Sequence, residues 1–164
     1  MLDLKRMLTF CTAAAVLVPI GASAEQLAKR GTYSGIYGWF FTGRNVEVEK
    51  DRGLWGGTAT GAFRNDSGGG FLHTAEVVCT SAGEFRKDAV IHDGGDCVAT
   101  DKDGDKAVFT WKCTQCPEVG EFEWTGGTGK YAGLKGHNTF RQTNAGGPDA
   151  VSGWSTWKGE WTLP

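Results

Sequence analysis

From about residue 30 onward, apolar and polar side chains alternate one for one through segment after segment of this chain. A period of two sends successive side chains to opposite faces of an extended strand, so the pattern predicts strands with one buried face. In 106–113, Ala107, Phe109, Trp111 and Cys113 share a face opposite Lys106, Val108, Thr110 and Lys112. In 55–63, Trp55, Gly57, Ala59, Gly61 and Phe63 oppose Gly56, Thr58, Thr60 and Ala62. In 71–80, His73, Ala75, Val77 and Cys79 oppose Thr74, Glu76, Val78 and Thr80. Tyr33, Gly35, Tyr37, Trp39 and Phe41 form a fourth face, and Ser155, Trp157, Gly159, Trp161 and Leu163 a fifth. Further strands are predicted near 86–92, 95–101, 119–125 and 136–144.

Hairpin chemistry separates these segments: Asn65-Asp66-Ser67-Gly68, Asp93-Gly94-Gly95, the turn 101–105 and Gly146-Gly147-Pro148. No segment in this part of the chain carries helical periodicity. The predicted fold class is therefore all-β, a single antiparallel β-barrel of about eight strands. Two details favour a barrel over a sandwich. Every inner face mixes glycine or alanine with large rings, as a narrow curved interior requires, and strand glycines supply the bends that closure needs. Glycine accounts for 26 of 164 residues and proline for only 4, with no collagen-like period.

The N-terminus reads as an export signal. Lys5 and Arg6 precede an apolar stretch over 8–21, and Ala22-Ser23-Ala24 is a small-residue cleavage site. The apolar stretch is too short for a stable membrane anchor. Residues 1–24 are accordingly expected to be a signal peptide, and 25–164 a β-barrel domain of 164 − 24 = 140 residues. The expected location is the periplasm or the exterior. Without Lys5, Arg6 and Asp3 the chain holds 15 basic and 18 acidic residues, a net charge of −3. That balance gives no electrostatic reason to expect nucleic acid or an anionic membrane as partner.

Four cysteines follow the cleavage site: Cys79, Cys97, Cys113 and Cys116. An even count in an exported chain favours disulfides. Of three possible pairings, Cys79–Cys97 with Cys113–Cys116 is preferred. The first bridge spans 97 − 79 = 18 residues and contributes ~3 kcal/mol in the chain-entropy picture. Cys113-Thr114-Gln115-Cys116 lacks the βαβ context of a redox pair, Pro117 replaces the histidine of a haem attachment site, and four-cysteine zinc sites use two close pairs.

The run Thr125-Gly126-Gly127-Thr128-Gly129-Lys130-Tyr131-Ala132-Gly133-Leu134-Lys135-Gly136 suits a tight, twisted turn feeding a strand. It lacks the spacing of a phosphate-binding loop, and no helix pattern follows it. The run resembles the G-G-T/S-G-x-[FY]-x-G-x-x-G stretch of the allene oxide cyclase and dirigent-like β-barrel group, which small secreted bacterial proteins of unknown function carry near their C-termini. The resemblance implies a calycin-like or allene oxide cyclase-like barrel. It carries no catalytic residue of that group onto this chain, because the matched stretch is a turn and a strand.

Asp101-Lys102-Asp103-Gly104-Asp105 sets three carboxylates at alternate positions, but an EF-hand loop needs Gly and Glu where Lys106 and Lys112 stand. The run reads as a hairpin tip with solvated carboxylates, and no metal site is expected. His73, His92 and His137 show no metal-ligand spacing, and no Gly-x-Ser-x-Gly elbow is present. Glu121 and Glu123 share a strand face without an evident catalytic partner. Parity gathers Tyr37, Trp39, His73 and Trp111 as the candidate ligand-binding set.

The functional expectation is an exported β-barrel that binds a small apolar or aromatic ligand, without a cofactor and without a catalytic constellation. Two alternatives stand beside it. One is a cyclase-, isomerase- or dirigent-like enzyme that guides a reactive substrate inside the barrel. The other is a structural or partner-binding envelope protein with a filled barrel. A homo-oligomer is left open as a partner state, and no membrane span is expected.

Overall fold

The computed structural model describes residues 27–87, 89–114, 119–146 and 151–164. Eight strands follow in chain order: β1 (Arg30–Glu49), β2 (Arg52–Asn65), β3 (Ala75–Arg86), β4 (Ala89–Thr100), β5 (Lys106–Thr114), β6 (Gly120–Gly127), β7 (Gly136–Asn144) and β8 (Ser152–Thr162). Each pairs antiparallel with the next, and β8 closes onto β1. The fold is a closed up-and-down barrel.

Register sets its bore. A row of directly paired residues leaves β1 at Asn45, passes Trp55, Gly83, Asp93, Cys113, Gly120, Phe140 and Trp157, and returns to β1 at Gly35. The stagger is 45 − 35 = 10 residues. Eight strands with that shear tilt by ~40° and enclose a bore that side chains just fill or that holds one small ligand.

The alternation seen in the sequence is the inside–outside alternation of the wall. Ala107, Phe109 and Cys113 are buried while Lys106, Thr110 and Lys112 are exposed, and Tyr33, Gly35 and Tyr37 alternate with exposed Thr32, Ser34 and Ile36. Inside, the rings pack in contact. Phe71 stacks on Trp161 at 4.4 Å, and Phe63 stacks on Trp157 at 5.0 Å. Phe109 meets the edge of Trp124 at 5.0 Å. Tyr33 lies with its ring 6.2 Å from that of Trp124, and burial raises its hydroxyl pKa.

Glycines make room for these rings. Trp161 is paired with Gly31, and a Cβ on residue 31 would land on the Trp161 indole. Trp39 is paired with Gly61 on one side and Gly153 on the other. This is the small-against-large arrangement of a curved interior, repeated around the wall.

Cys79 and Cys97 are directly paired on β3 and β4, with Cα atoms 4.0 Å apart, and form a disulfide inside the barrel. Cys113 is also disulfide-bonded. Cys116, its expected partner, lies outside the described residues, as do the proposed signal peptide and most of Gly146-Gly147-Pro148.

One end of the barrel is plugged by its own connections. The 66–74 connection inserts Phe71 and Leu72, and the 128–135 connection inserts Tyr131 and Leu134; all four are buried. The glycine-rich run therefore does more than turn the chain. It holds a short 3-10 helix (Gly129–Tyr131) that drives Tyr131 into the bore. Gly129 and Gly133 supply the positive φ angles, 52° and 75°, that the turn needs.

Two expectations are corrected. The strand predicted over 71–80 begins only at Ala75, because Leu72 and Thr74 adopt positive φ and fold 71–74 into a turn. Asp93-Gly94-Gly95 is not a hairpin but lies within β4, which begins at Ala89 after β3 ends at Arg86. Its glycines answer to the neighbouring strand: Gly95 is paired with Trp111, and a side chain there would meet the Thr80 carbonyl and the indole Nε1.

Candidate functional site

Inward-facing residues are not equally buried along the bore. On β1, Tyr33, Gly35 and Tyr37 are buried, whereas Trp39 and Phe41 are only half-buried. On β2, Phe63 is buried, while Gly61, Ala59, Gly57 and Trp55 are half-buried. On β5, Phe109 is buried and Trp111 half-buried. In the half of the bore away from the plug these rings are thus reached by solvent and form one side of an aromatic cup, while Ser81, Gly83, Asp93 and Cys113 on β3, β4 and β5 stay buried.

Its floor and walls follow from register. Tyr37 packs on Trp157 with ring centres 5.1 Å apart and donates its hydroxyl to the Val77 carbonyl at 3.4 Å. Burial raises its pKa above the usual tyrosine value. Trp111 meets the edge of Phe140 at 5.8 Å and donates Nε1 to the Thr80 carbonyl at 3.3 Å. Trp39 reaches over Gly153, and Phe41 meets Trp55 edge-on at 5.4 Å. Above the cup, an open depression of about 590 Å³ is lined by Asn45, Glu47, Asp51, Arg52, Phe85 and Lys87.

Asp93 is a buried carboxyl in this half, alongside the buried hydroxyl residues Ser81 and Ser155. It faces inward on β4, paired with Gly83 and Cys113, and is 8 % exposed. Its Oδ1 has no hydrogen-bond partner. Burial raises its pKa to about 8, and the Gly94 N–H offsets only part of that rise. At neutral pH the group is therefore mostly a neutral carboxylic acid. Trp55, one strand beyond Gly83, also has a buried and unpartnered Nε1.

Of the residues chosen from sequence, Tyr37, Trp39 and Trp111 are brought together in the unplugged half. His73 is not among them. It sits in the 71–74 turn at the plugged end, half-buried, with an unpartnered Nδ1. A second depression, of about 470 Å³, lies at that end beside Tyr33, Asn65 and Trp161. Two polar side chains along it are engaged: Ser34 donates to Asp66 at 2.6 Å, and Asn65 donates to the Phe71 carbonyl at 3.0 Å, whereas the buried Tyr33 hydroxyl has no hydrogen-bond partner. Asp93, Trp55 and Phe41 were not singled out from sequence. Phe41 and Trp55 carried the right parity, but Asp93 was absorbed into a turn motif. Among the described residues no group of three or more His, Cys, Asp or Glu is arranged to hold a metal ion, and no helix is long and apolar enough to cross a membrane.

Fold and site together define an eight-stranded antiparallel barrel with one plugged end and an aromatic cup at the other. No family model matches the sequence, and no curated protein matches it. Among solved structures, the chain is similar to the pterocarpan synthase dirigent protein GePTS1, with a TM-score of 0.49 and 9% identity over 83% of this chain and 86% of that one. The barrel assignment made above stands on the strand pairing alone.

Proposed function

We propose that this is an exported barrel that binds a small apolar or aromatic ligand in the cup formed by Tyr37, Trp39, Phe41, Trp55 and Trp111. One observation carries the reading: the bore is filled with buried rings at one end, while equivalent inward rings at the other remain half-exposed around a buried carboxyl. Soluble barrels of eight strands have room for one small ligand in such a place. Export is supported by the charged, apolar and small-residue succession over 1–24 and by the Cys79–Cys97 disulfide, which suits an oxidising compartment.

Titration with 2-ethylnaphthalene tests the binding. Saturable quenching of tryptophan fluorescence is expected in the native protein. Ala59→Leu, which adds volume at a half-buried inward position paired with Phe41, should abolish it. No quenching in the native protein, or equal quenching in the variant, rejects the cup as the binding site.

The Asp93 carboxyl favours a second reading, in which the barrel acts on its ligand. A buried acid with a pKa of about 8 is suited to proton transfer near neutral pH. Turnover by native protein that is lost in Asp93→Asn would establish that reading over simple binding.

A further inference from the structure

β1 outruns one of its two neighbours. β2 pairs with it as far as Glu49, whereas β8 pairs with it only from Arg30 to Phe40. The Phe41 N–H makes the last bond on the β8 side, to the Val151 carbonyl at 2.6 Å. Beyond it, the carbonyls of Thr42 and Val46 point at β2, where a Cβ on Gly57 or Gly53 would meet them. Alternate residues of an antiparallel ladder turn their N–H and C=O groups to opposite sides. Gly43, Asn45 and Glu47 therefore direct theirs away from β2, where no strand among the described residues meets them.

An open strand edge pairs with a further strand unless something guards it. The guard here is a register shift between Glu47 and Glu49, which leaves 43–47 regular. The outer face of that stretch is apolar as well as open. Val46 is 59% exposed, and Leu54, directly paired with it, is 47% exposed. Unpaired backbone groups beside an uncovered apolar pair mark an edge at which another strand docks.

The side chains of the segment select that strand. Laid antiparallel to itself about a two-fold axis at Val46, the segment sets Val46 against Val46 of the second copy. Asn45 then stands opposite Glu47, and Glu47 opposite Asn45, so that each amide can donate to a carboxylate. The valines and Leu54 cover one another on the outer face. Moving the axis to Asn45 would instead place the two Arg44 side chains diagonally. Their neighbours on that face, Thr42, Val46 and the paired Gly56, include no carboxylate. With the axis at Val46 the diagonal pair is Glu47, which shares its depression with Arg52 and Lys87.

We propose that this protein forms a two-fold dimer by pairing residues 43–47 of β1 with the same segment of a second copy, running the sheet of one barrel into that of the next. The axis uses each edge once, so association closes at two. Asn45 and Glu47 also line the depression above the cup, and the joint therefore lies at its mouth. The dimer does not depend on whether the cup holds a ligand.

Sedimentation equilibrium of the native protein tests the association. So short a contact should give a concentration-dependent monomer–dimer equilibrium with a Kd of about 10–100 μM. Asn45→Pro deletes an N–H that faces the open edge, where a strand tolerates proline. It should yield monomers with unchanged near-ultraviolet circular dichroism. Val46→Cys should cross-link to a covalent dimer on oxidation, because opposed residues of a non-hydrogen-bonded pair stand about 4.5 Å apart at Cα, within disulfide reach. Arg44→Cys, opposite Val48 of the second copy, should not. A native protein that stays monomeric up to about 1 mM, or an assembly larger than two, overturns the proposal. So does a dimer that persists in folded Asn45→Pro, which would place the contact on another face. Should the proline unfold the barrel, cross-linking decides: none with Val46→Cys, or as much with Arg44→Cys, overturns the pairing.

Discussion

Lys130 Nζ lies 2.7 Å from Asp101 Oδ2, with the two side chains only 17% and 5% exposed. The same ammonium reaches Asp103 Oδ2 at 2.6 Å, and the Lys130 backbone N–H donates to Asp105 Oδ2 at 3.1 Å. Tyr131 donates its hydroxyl to Asp101 at 3.1 Å. The turn 101–105 is thus a clasp around the glycine-rich run, and the expectation of freely solvated carboxylates is corrected. Burial alone would raise the Asp101 pKa. Hydrogen bonds from Lys130, the Asp103 N–H and Tyr131 outweigh that, and the net direction is downward.

Asp101→Asn should therefore lower stability by ~2–4 kcal/mol, because it leaves a mostly buried ammonium short of a partner. Asp103→Asn, on a more exposed carboxylate, should do much less. Chemical denaturation of both variants checks the order; equal effects would place the clasp in solvent. Since the folded Asp101 pKa is depressed, its contribution is present at neutral pH and is lost as acid protonates the group.

Asp93 acts in the opposite sense. Its folded pKa of about 8 lies above the unfolded value of about 3.9. The folded chain therefore keeps a proton that the unfolded chain releases, and stability declines as pH rises between those values. The slope is up to about 1.4 kcal/mol per pH unit, levelling off above pH 8. Gly83 and Cys113, paired with Asp93 on either side, carry no charge to offset it. Asp93→Asn should flatten the pH profile and stabilise the protein at pH 8. A native profile already flat from pH 5 to 8 would show the carboxyl ionised or solvated.

Inside the wall, Gly61→Leu should be far more damaging than Thr60→Lys on the neighbouring position. A Cβ at residue 61 would fall on the Gly38 carbonyl of β1, and that backbone cannot yield without breaking the ladder. Thr60 faces solvent. Melting temperatures decide the matter; the reverse order would mean that the inside–outside assignment of β2 is inverted.

The Cys79–Cys97 bridge joins residues already paired across β3 and β4. Cys79→Ser should lower stability by about 2–4 kcal/mol through the unfolded chain it no longer constrains. The near-ultraviolet circular dichroism of the folded barrel should remain. Its loss under native conditions would show that the bridge holds the fold together rather than reinforcing it.

The inside–outside parity was legible because it needs only a period of two, which is why Tyr37, Trp39 and Trp111 could be placed on one interior surface without coordinates. Which end of the bore each ring occupies was not legible, since that depends on the ten-residue stagger summed over eight pairings. His73 was misplaced by two residues of strand: the turn at Leu72 and Thr74 uses positive φ at residues that give no local warning. Asp93 was missed because Asp-Gly-Gly has the composition of a hairpin. Here those glycines answer to Trp111 on the next strand, a long-range demand invisible in the local motif.

The central claim is a ligand cup in the unplugged half, and the protein carries its own reporters. Seven tryptophans are distributed through the chain: Trp39, Trp55 and Trp111 in the cup, Trp124, Trp157 and Trp161 in the packed half, and Trp154 on the outer surface. Assigned indole N–H resonances should be followed in ¹⁵N-labelled protein titrated with 2-ethylnaphthalene. The account predicts saturable shifts at Trp39, Trp55 and Trp111, with Trp124, Trp161 and Trp154 unmoved. Shifts confined to Trp154, or no shift at any indole, would contradict it.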